Sequence, residues 1–247
     1  MSRTVMVVCA HPDDVELACA GTIKNLTNEG YRVVFIECTR AELSTRGTPQ
    51  LRAIEADRAG QILGVHDREC LGLPDGAIEN NLEHVMPLVG AIRHWRPSLM
   101  LIPPHVERHP DHEAVHAISR RAAFLAGLAR IETSREGQPQ APWRPERTLC
   151  YQQQYDFPRL PDIYVDVTAV FDEKMESIRA FASQFHVPDT YSSDEPETFI
   201  SRPGFLEEIE ARARYYGGRI GTTYAEGFLA VEPLAVASLS VLLRPND

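Results

Sequence analysis

The amino-acid sequence predicts an α/β fold in which a mostly parallel, Rossmann-like sheet carries helices on both of its faces. Segments that are apolar along their whole length alternate with amphipathic segments, beginning at 4–10, 15–30 and 32–39. Continuous apolar strands are typical of parallel sheets that are covered on both sides. A chain of 247 residues is long enough for one large core, so we expect a single domain over 1–247.

The first three elements form a βαβ unit. The strand TVMVVCA is followed by a helix that Gly30 ends, and RVVFIECT is the second strand. The next helix has Thr48 as its N-cap and Pro49 at its first position, and it ends before Gly64. One face of this helix carries Leu51, Ile54, Arg58 and Ile62.

The rest of the chain continues the alternation. Helices are expected at about 82–95, 111–128, 171–184 and 204–217. The strands between and after them are LMLIPP, TLCYQQQY, DIYVDV and GFLAV. Residues 131–147 contain three prolines and are expected to form an extended loop.

Composition and charge exclude several classes of protein. The chain is 43% hydrophobic and 24% charged, as in ordinary globular proteins, and its formal net charge is −10. Because a net negative charge attracts neither nucleic acid nor an anionic membrane, we expect neither as a partner. No segment reaches the roughly 18 apolar residues of a membrane span, and the N-terminal apolar run is too short for a signal peptide, which favours a cytoplasmic location. The five cysteines lack C-x-x-C spacing, which favours buried free thiols.

Two clusters of polar side chains follow predicted strands. The first strand ends in AHPDD and LMLIPP is followed by HVERHPDHEAVH, and together they supply His11, Asp13, Asp14, His109, Asp111, His112 and His116. Because ligands of such sheets bind beyond the carboxyl ends of the strands, both clusters are expected at one edge. The first turn lacks G-x-G-x-x-G, which argues against a dinucleotide cofactor.

The residue types in these clusters indicate a metal site. Two histidines and one carboxylate are a usual ligand set of catalytic zinc, and they leave a position for water. This accounts for the adjacent aspartates, since one binds the metal and its neighbour stays free as a base. The alternative is that Asp13 and Asp14 only cap the following helix and that the histidines are solvated.

The segment HEAVH at 112–116 also matches H-E-x-x-H, the zinc-protease pattern in which Glu113 would be the base. We set this match aside because Pro110 places His112 in the first helical turn and because no metzincin continuation follows. A protease would also leave HPDD unexplained. His116 is then expected near the site or in solvent, on the same side as His112.

The motifs together resemble a known family. AHPDDVE and HPDH are similar to motifs of the LmbE/PIG-L-like metal-dependent N-deacetylases, which remove acetyl groups from N-acetylglucosaminyl compounds. The segments ECTRAELSTRGT, LRAIEADRAGQILGV, LGLPDG, YVDV, SQF and RIGTTYAEGF occur in the order of the bacillithiol-biosynthesis branch, which acts on N-acetylglucosaminyl malate. The resemblance covers nearly the whole chain. Ala41 and Ser44 stand where that branch usually has glycine.

The resemblance implies a metal site and a hydrolytic reaction. The metal ligands would be His11, Asp14 and His112, and the cofactor would be Zn²⁺ or another divalent ion such as Fe²⁺. The products would be acetate and a free amine.

The resemblance also implies three catalytic residues. Asp13 would be the general base that takes a proton from the attacking water. His109 would steady the oxyanion, and Asp111 would orient and charge His109.

An anionic substrate needs cationic partners in an acidic protein. Arg52 and Arg108 match family positions associated with the anionic aglycone, and Tyr191 is a further candidate. The alternatives are that Arg52 pairs with Glu55 and that Arg108 is an exposed loop charge.

The resemblance implies a homo-oligomer, a trimer or a hexamer. Two other functions stay open: deacetylation of another N-acetylglucosamine derivative or a chitooligosaccharide, and a non-catalytic metal- or sugar-binding module.

Overall fold

Seven strands form one sheet at the centre of the computed structural model, which describes residues 3–187 and 194–242. In chain order the strands of these residues are β1 (Thr4–Cys9), β2 (Arg32–Glu37), β3 (Asp67–Cys70), β4 (Leu99–Ile102), β5 (Ser134–Arg135), β6 (Gln138–Pro139), β7 (Arg147–Tyr151), β8 (Ile163–Asp166) and β9 (Ala225–Ala230). The order across the sheet is β3-β2-β1-β4-β7-β9-β8. In this order, neighbouring strands pair in parallel from β3 through β2, β1 and β4 to β7, whereas β9 pairs antiparallel with β7 and β8. The predicted fold class, a single mostly parallel α/β domain, is confirmed.

Helices cover both faces of the sheet. They are α1 (Asp14–Asn28), α2 (Pro49–Leu63), α3 (Leu82–Trp95), α4 (Pro110–Ala126), α5 (Phe171–Arg179) and α6 (Phe205–Ile220). Alternate residues of β1 point to opposite faces: Met6 and Val8 pack with α3 and α4, while Val5 and Val7 pack with α1. Helices α2, α5 and α6 continue the second layer around Phe181. Among the described helices, none has the length and apolar character that a membrane span requires.

Some predicted boundaries shift in the structure. The strand TLCYQQQY ends at Tyr151, and the helix expected at 171–184 ends at Arg179. The loop at 131–147 contains the short antiparallel pair β5–β6. Strand β3 was not predicted, because its residues DREC lie at the sheet edge and none is fully buried, so no apolar run marks it.

Helix α2 begins and ends as predicted but buries a different face. Thr48 accepts the N–H of Leu51, and Gly64 follows the helix with a φ of 73°. However, Leu51 and Ile54 are 42% and 67% exposed, so the apolar stripe faces outward. The buried face carries the polar residues Arg52 and Glu55 together with small side chains. Two charged groups are thus directed into the molecule.

The order of the strands creates a crevice. From β1 the chain adds β2 and β3 on one side, and then it crosses to add β4 on the other. Ligands of open α/β sheets bind at such a switch point, outside the carboxyl ends of the two diverging strands. The AHPDD motif follows β1, and the loop with RHPDH follows β4.

Candidate active site

A cavity of about 350 Å³ lies at this crevice and is lined by residues of both motifs. The first motif forms the turn from β1 into α1. The second forms the start of α4, where Pro110 is the first helical residue and His109 is the N-cap. The rings of His11 and His112 have centroids 5.5 Å apart, which lets the two imidazoles bind one ion at the usual metal–nitrogen distance of about 2 Å. The fold thus brings together two segments that are remote in sequence.

Asp14 joins the two imidazoles. Its Oδ1 lies 3.1 Å from His112 Nε2, and its Oδ2 lies 3.6 Å from His11 Nδ1. His11, Asp14 and His112 are 8%, 4% and 9% exposed. The N–H groups of Ala10 and His11 also donate to Asp14 Oδ2, at 3.1 and 2.8 Å, and fix the carboxylate. Burial alone would raise the pKa of Asp14, but His112 and His11 lower it well below its usual value. This buried donor set fits a divalent metal ion.

Two further carboxylates lie on the other side of the His11 ring. His11 Nε2 is 3.0 Å from Asp75 Oδ1 and 3.5 Å from Asp111 Oδ2. A carboxylate at one ring nitrogen sets the tautomer of a metal-binding histidine and leaves the other nitrogen, here Nδ1, for the ion. Burial alone would lower the pKa of His11, but Asp111, Asp14 and Asp75 raise it well above its usual value. Sequence reasoning assigned no role to Asp75; the available signal was the Pro-Asp-Gly turn that follows β3.

Other combinations of these groups also come within reach of a shared ion. The ligand atoms of His11, His109 and His112 lie within 4.8 Å of one another, as do those of His11, Asp75 and Asp111. In the predicted set, one ligand atom each from His11, Asp14 and His112 do not all lie within 4.8 Å of one another, although Asp14 contacts both rings. The geometry therefore offers more than one ligand set around His11.

Asp13 has the features of a functional base. Its backbone is left-handed, with φ 106° and ψ −26°, a region that costs about 1–3 kcal/mol for a residue other than glycine. Its Oδ2 lies 3.0 Å from Arg52 Nη2 but has no hydrogen-bond partner among the described residues. Burial raises the pKa of Asp13 to about 7, against the lowering effect of Arg52. Asp13 makes no side-chain capping bond to α1, so the helix-cap alternative does not explain it.

Asp111 contacts His109 through its backbone N–H group and not through its carboxylate. The Asp111 carboxylate accepts the N–H of Gly76 at 2.7 Å and approaches His11; among the described contacts it makes no hydrogen bond to the His109 ring. Instead, His109 Nδ1 accepts the backbone N–H of Asp111 at 3.2 Å. Burial and the neighbouring imidazoles of His11 and His112 lower the pKa of His109 more than Asp111 raises it. Asp111 therefore contacts His11 directly, and its effect on the charge of His109 is outweighed by burial and by the two neighbouring imidazoles.

The predicted substrate residues have different surroundings. Arg52 lines the cavity but pairs with Asp13 and donates from Nε to the Pro12 carbonyl, at 3.2 Å. It does not pair with Glu55, whose carboxylate accepts two hydrogen bonds from Ser183. Arg108 is exposed at the cavity, with its guanidinium 4.9 Å from the ring centroid of Phe199. Tyr191 lies outside the described residues.

His116 belongs neither to the metal site nor to the solvated surface. It is buried, and its Nδ1 lies 2.9 Å from the Pro103 carbonyl and 3.7 Å from Cys150 Sγ. The expectation that His116 lies near the site or in solvent was wrong, because α4 turns this side chain into the core beside β4 and β7. The H-E-x-x-H match thus has no metal geometry behind it.

Comparison with known proteins identifies the family. Residues 6–123 match the family described as PIG-L, GlcNAc-PI de-N-acetylase. A diacetylchitobiose deacetylase of Thermococcus kodakarensis is 30% identical over 236 residues, which cover 91% of this chain and 82% of the relative. A probable N-acetyl-α-D-glucosaminyl L-malate deacetylase of Bacillus cereus is 28% identical over 202 residues, covering 74% of this chain and 84% of the relative. A conserved protein of Thermus thermophilus, known from its crystal structure, has a TM-score of 0.82 and 32% identity, covering 94% of this chain and 96% of that one. The chain therefore belongs to the LmbE/PIG-L family of deacetylases, which are hydrolases of amide bonds.

Proposed function

We propose that this chain is a metal-dependent N-deacetylase that hydrolyses the acetamide of N-acetylglucosaminyl malate or a closely related small anionic conjugate. The observation that carries the proposal is the buried His–Asp–His cluster beside Asp13, at one cavity of about 350 Å³. Asp13 has a strained backbone, and its carboxylate pairs with Arg52 and lacks a hydrogen bond to Oδ2 among the described residues. A cavity of this size accommodates a sugar with a small aglycone. The names of the relatives, which include an N-acetylglucosaminyl malate deacetylase, support the substrate class.

We assign the metal to His11, Asp14 and His112. Asp14 contacts both imidazoles and is fixed by backbone N–H groups, whereas His109 already uses Nδ1 to accept a backbone hydrogen bond. A bound Zn²⁺ or Fe²⁺ would supply a Lewis acid that lowers the pKa of water and polarises the acetyl carbonyl. Asp75 and Asp111 would hold the His11 ring in the tautomer that such an ion requires.

The remaining steps are assigned to residues of the cavity wall. Asp13 removes a proton from the attacking water and returns it to the leaving amine. Because His109 Nδ1 accepts a hydrogen bond, a neutral His109 carries its proton on Nε2 and can donate it to the developing oxyanion. Arg52, paired with Asp13, stabilises the ionised form of the base.

The assignment of ligands is tested by metal analysis of variants. We expect purified His11→Ala and Asp14→Ala to contain no stoichiometric metal, while His109→Ala keeps its metal and loses turnover. Loss of metal in His109→Ala, with metal retained in Asp14→Ala, would instead indicate the three-histidine set.

The substrate is tested by acetate release from N-acetylglucosamine, diacetylchitobiose and the malate and inositol conjugates of N-acetylglucosamine. We expect the malate conjugate to have the highest kcat/KM.

A second candidate, diacetylchitobiose, is favoured by the Thermococcus relative and by an adjoining cavity lined by Tyr215 and Tyr216, which suits a second sugar ring. Preference for diacetylchitobiose would replace the malate conjugate, and absence of acetate from all compounds would contradict the proposed activity.

A further inference from the structure

Arg212 of α6 lines both the catalytic cavity and the adjoining cavity of about 520 Å³. It is half-buried, and its Nη1 donates to the backbone carbonyl of Gln153. Within residues 3–187 and 194–242, no carboxylate forms an ion pair with it. Burial lowers the pKa of Arg212, and the nearby Tyr216, Glu226, Asp156 and Glu107 raise it by less. Acidic groups thus lie near Arg212, but among the described residues none of them forms an ion pair with its guanidinium.

The other arginines of the catalytic cavity have different partners. Arg52 is paired with Asp13, and its Nε donates to a carbonyl. Arg108 is exposed over the ring of Phe199, where solvent screens its charge. Arg212 is thus the cavity guanidinium that combines partial burial with the lack of an anionic partner in the described structure.

A second hydrogen-bond donor lies beside Arg212. The side chain of Gln153 lines the catalytic cavity and is 5% exposed, and its Nε2 has no hydrogen-bond partner among the described residues. A buried amide N–H without an acceptor is unfavourable, and a ligand that accepts from it removes this cost. The guanidinium fork and this amide are the donors that a carboxylate or phosphate group requires.

We propose that Arg212 and Gln153 form an oxyanion-binding subsite that selects substrates with an anionic aglycone. This inference rests on the proposed function and changes its residues: the anion binds at Arg212, while Arg52 serves the base Asp13. A carboxylate and a phosphate could both bind at this subsite. Kinetics with one conjugate that carries a carboxylate and one that carries a phosphate show which group it recognises.

The test compares an anionic and an uncharged substrate in wild type, Arg212→Met and the control Arg214→Gln. Arg214 lies on the same helix, is exposed and pairs with Glu210, away from both cavities. For Arg212→Met we expect KM for N-acetylglucosaminyl malate to rise about 10- to 100-fold, the effect of one lost charge-assisted interaction. The kcat/KM for N-acetylglucosamine should stay within about twofold, because this compound has neither an anion to lose nor a second ring to place in the adjoining cavity. Arg214→Gln should match wild type on both.

Several results would overturn the inference. An equal loss on both substrates would show a structural role for Arg212, and unchanged kinetics on both would show no role. If Arg212→Met does not fold, Arg212→Lys keeps the charge without the fork, and its KM should rise for the malate conjugate alone. A conjugate carrying a phosphate in place of malate should show the same dependence on Arg212 if the subsite recognises oxyanions in general. Wild type that releases no acetate from any compound would contradict the proposed function itself, whereas active wild type with no charge-selective defect in the variants would contradict this inference alone.

Discussion

Two buried carboxylates, Glu226 of β9 and Asp13 at the start of α1, have the same exposure and different surroundings. Each is 4% exposed and forms an ion pair among the described residues, Glu226 with Lys174 and Asp13 with Arg52. Both oxygens of Glu226 are bonded: Oε1 accepts from Lys174 at 2.6 Å and from Gly21, and Oε2 accepts from the N–H of Thr22. Asp13 lines the cavity and has a left-handed backbone, and its Oδ2, which pairs with Arg52, receives no hydrogen bond from the described residues.

The difference shows what separates a structural charge from a functional one in this molecule. Burial and an ion pair are common to both. A structural carboxylate has all its hydrogen bonds satisfied by the fold, since an unsatisfied buried charge costs stability. A catalytic carboxylate instead keeps the capacity to accept a proton, here from the attacking water. Removal of Glu226 or its partner should therefore affect folding, and removal of the Asp13 charge should affect turnover.

The largest effect is expected for Asp13→Asn. Asparagine tolerates the left-handed backbone and keeps the shape of the side chain, but it cannot accept the proton, so turnover should fall about 10²- to 10⁴-fold. Metal content and unfolding midpoint should stay close to those of wild type. The matched variant Glu226→Gln should retain activity per folded molecule and lose stability. Turnover of Asp13→Asn equal to wild type would remove Asp13 from the mechanism.

Lys174→Met tests the structural member of the pair. It leaves Glu226 buried with only the two backbone donors, and breaking a buried ion pair in this way costs about 3–5 kcal/mol of unfolding free energy. Urea unfolding measures the loss. Arg214→Met, which breaks an exposed pair with Glu210, should cost less than about 1 kcal/mol. Equal costs for the two variants would contradict the role given to burial.

Asp75→Asn tests whether the charge around His11 is functional. Because Asp75 orients the ring through Nε2, its removal should weaken metal binding about 10- to 100-fold without unfolding the protein. Competition with a chelator measures the affinity. Asp67→Asn, at the exposed start of β3, is the control and should bind as wild type. An unchanged affinity in Asp75→Asn would place Asp75 outside the metal site.

The smallest effect is expected in the loop after β2. Ala41 is buried and has a φ of 52°, so its backbone is strained like that of Asp13, but its methyl side chain carries no reactive group. Ala41→Gly should raise the unfolding free energy by up to about 1 kcal/mol, because glycine adopts this conformation without strain. Ser44→Gly should lower stability slightly, since Ser44 has no positive φ and glycine only adds freedom to the unfolded chain. Thermal unfolding distinguishes the two outcomes.

Ala41 stands at one of the two positions where the sequence departs from the resembling branch. The resembling branch has glycine at this position, and the structure keeps the left-handed conformation that glycine would favour. The cost of alanine in this conformation is expected in stability.

Local patterns in the sequence were enough to predict the class of the fold and the neighbourhood of the site. The apolar runs of β1 and β4 identify parallel strands, and parallel strands place their carboxyl ends at one edge, so HPDD and HPDH had to approach each other. Pro110 also correctly predicted that His112 lies in the first turn of its helix, which begins at Pro110. These features depend on short-range periodicity and chain direction, which a sequence displays directly.

Contacts between remote segments were decided by tertiary packing alone. The sequence suggested that Arg52 pairs with Glu55 or a substrate, but α2 turns Arg52 towards Asp13 and Glu55 towards Ser183. Likewise, the turn after β3 brings Asp75 to His11, and α6 brings Arg212 to the cavity wall. No local pattern encodes these partners, because they depend on how helices and loops from distant parts of the chain pack and on which rotamer each side chain adopts there. The sequence by itself determined the fold and the edge of the sheet where the chemistry occurs, and the tertiary structure decided which charges meet there.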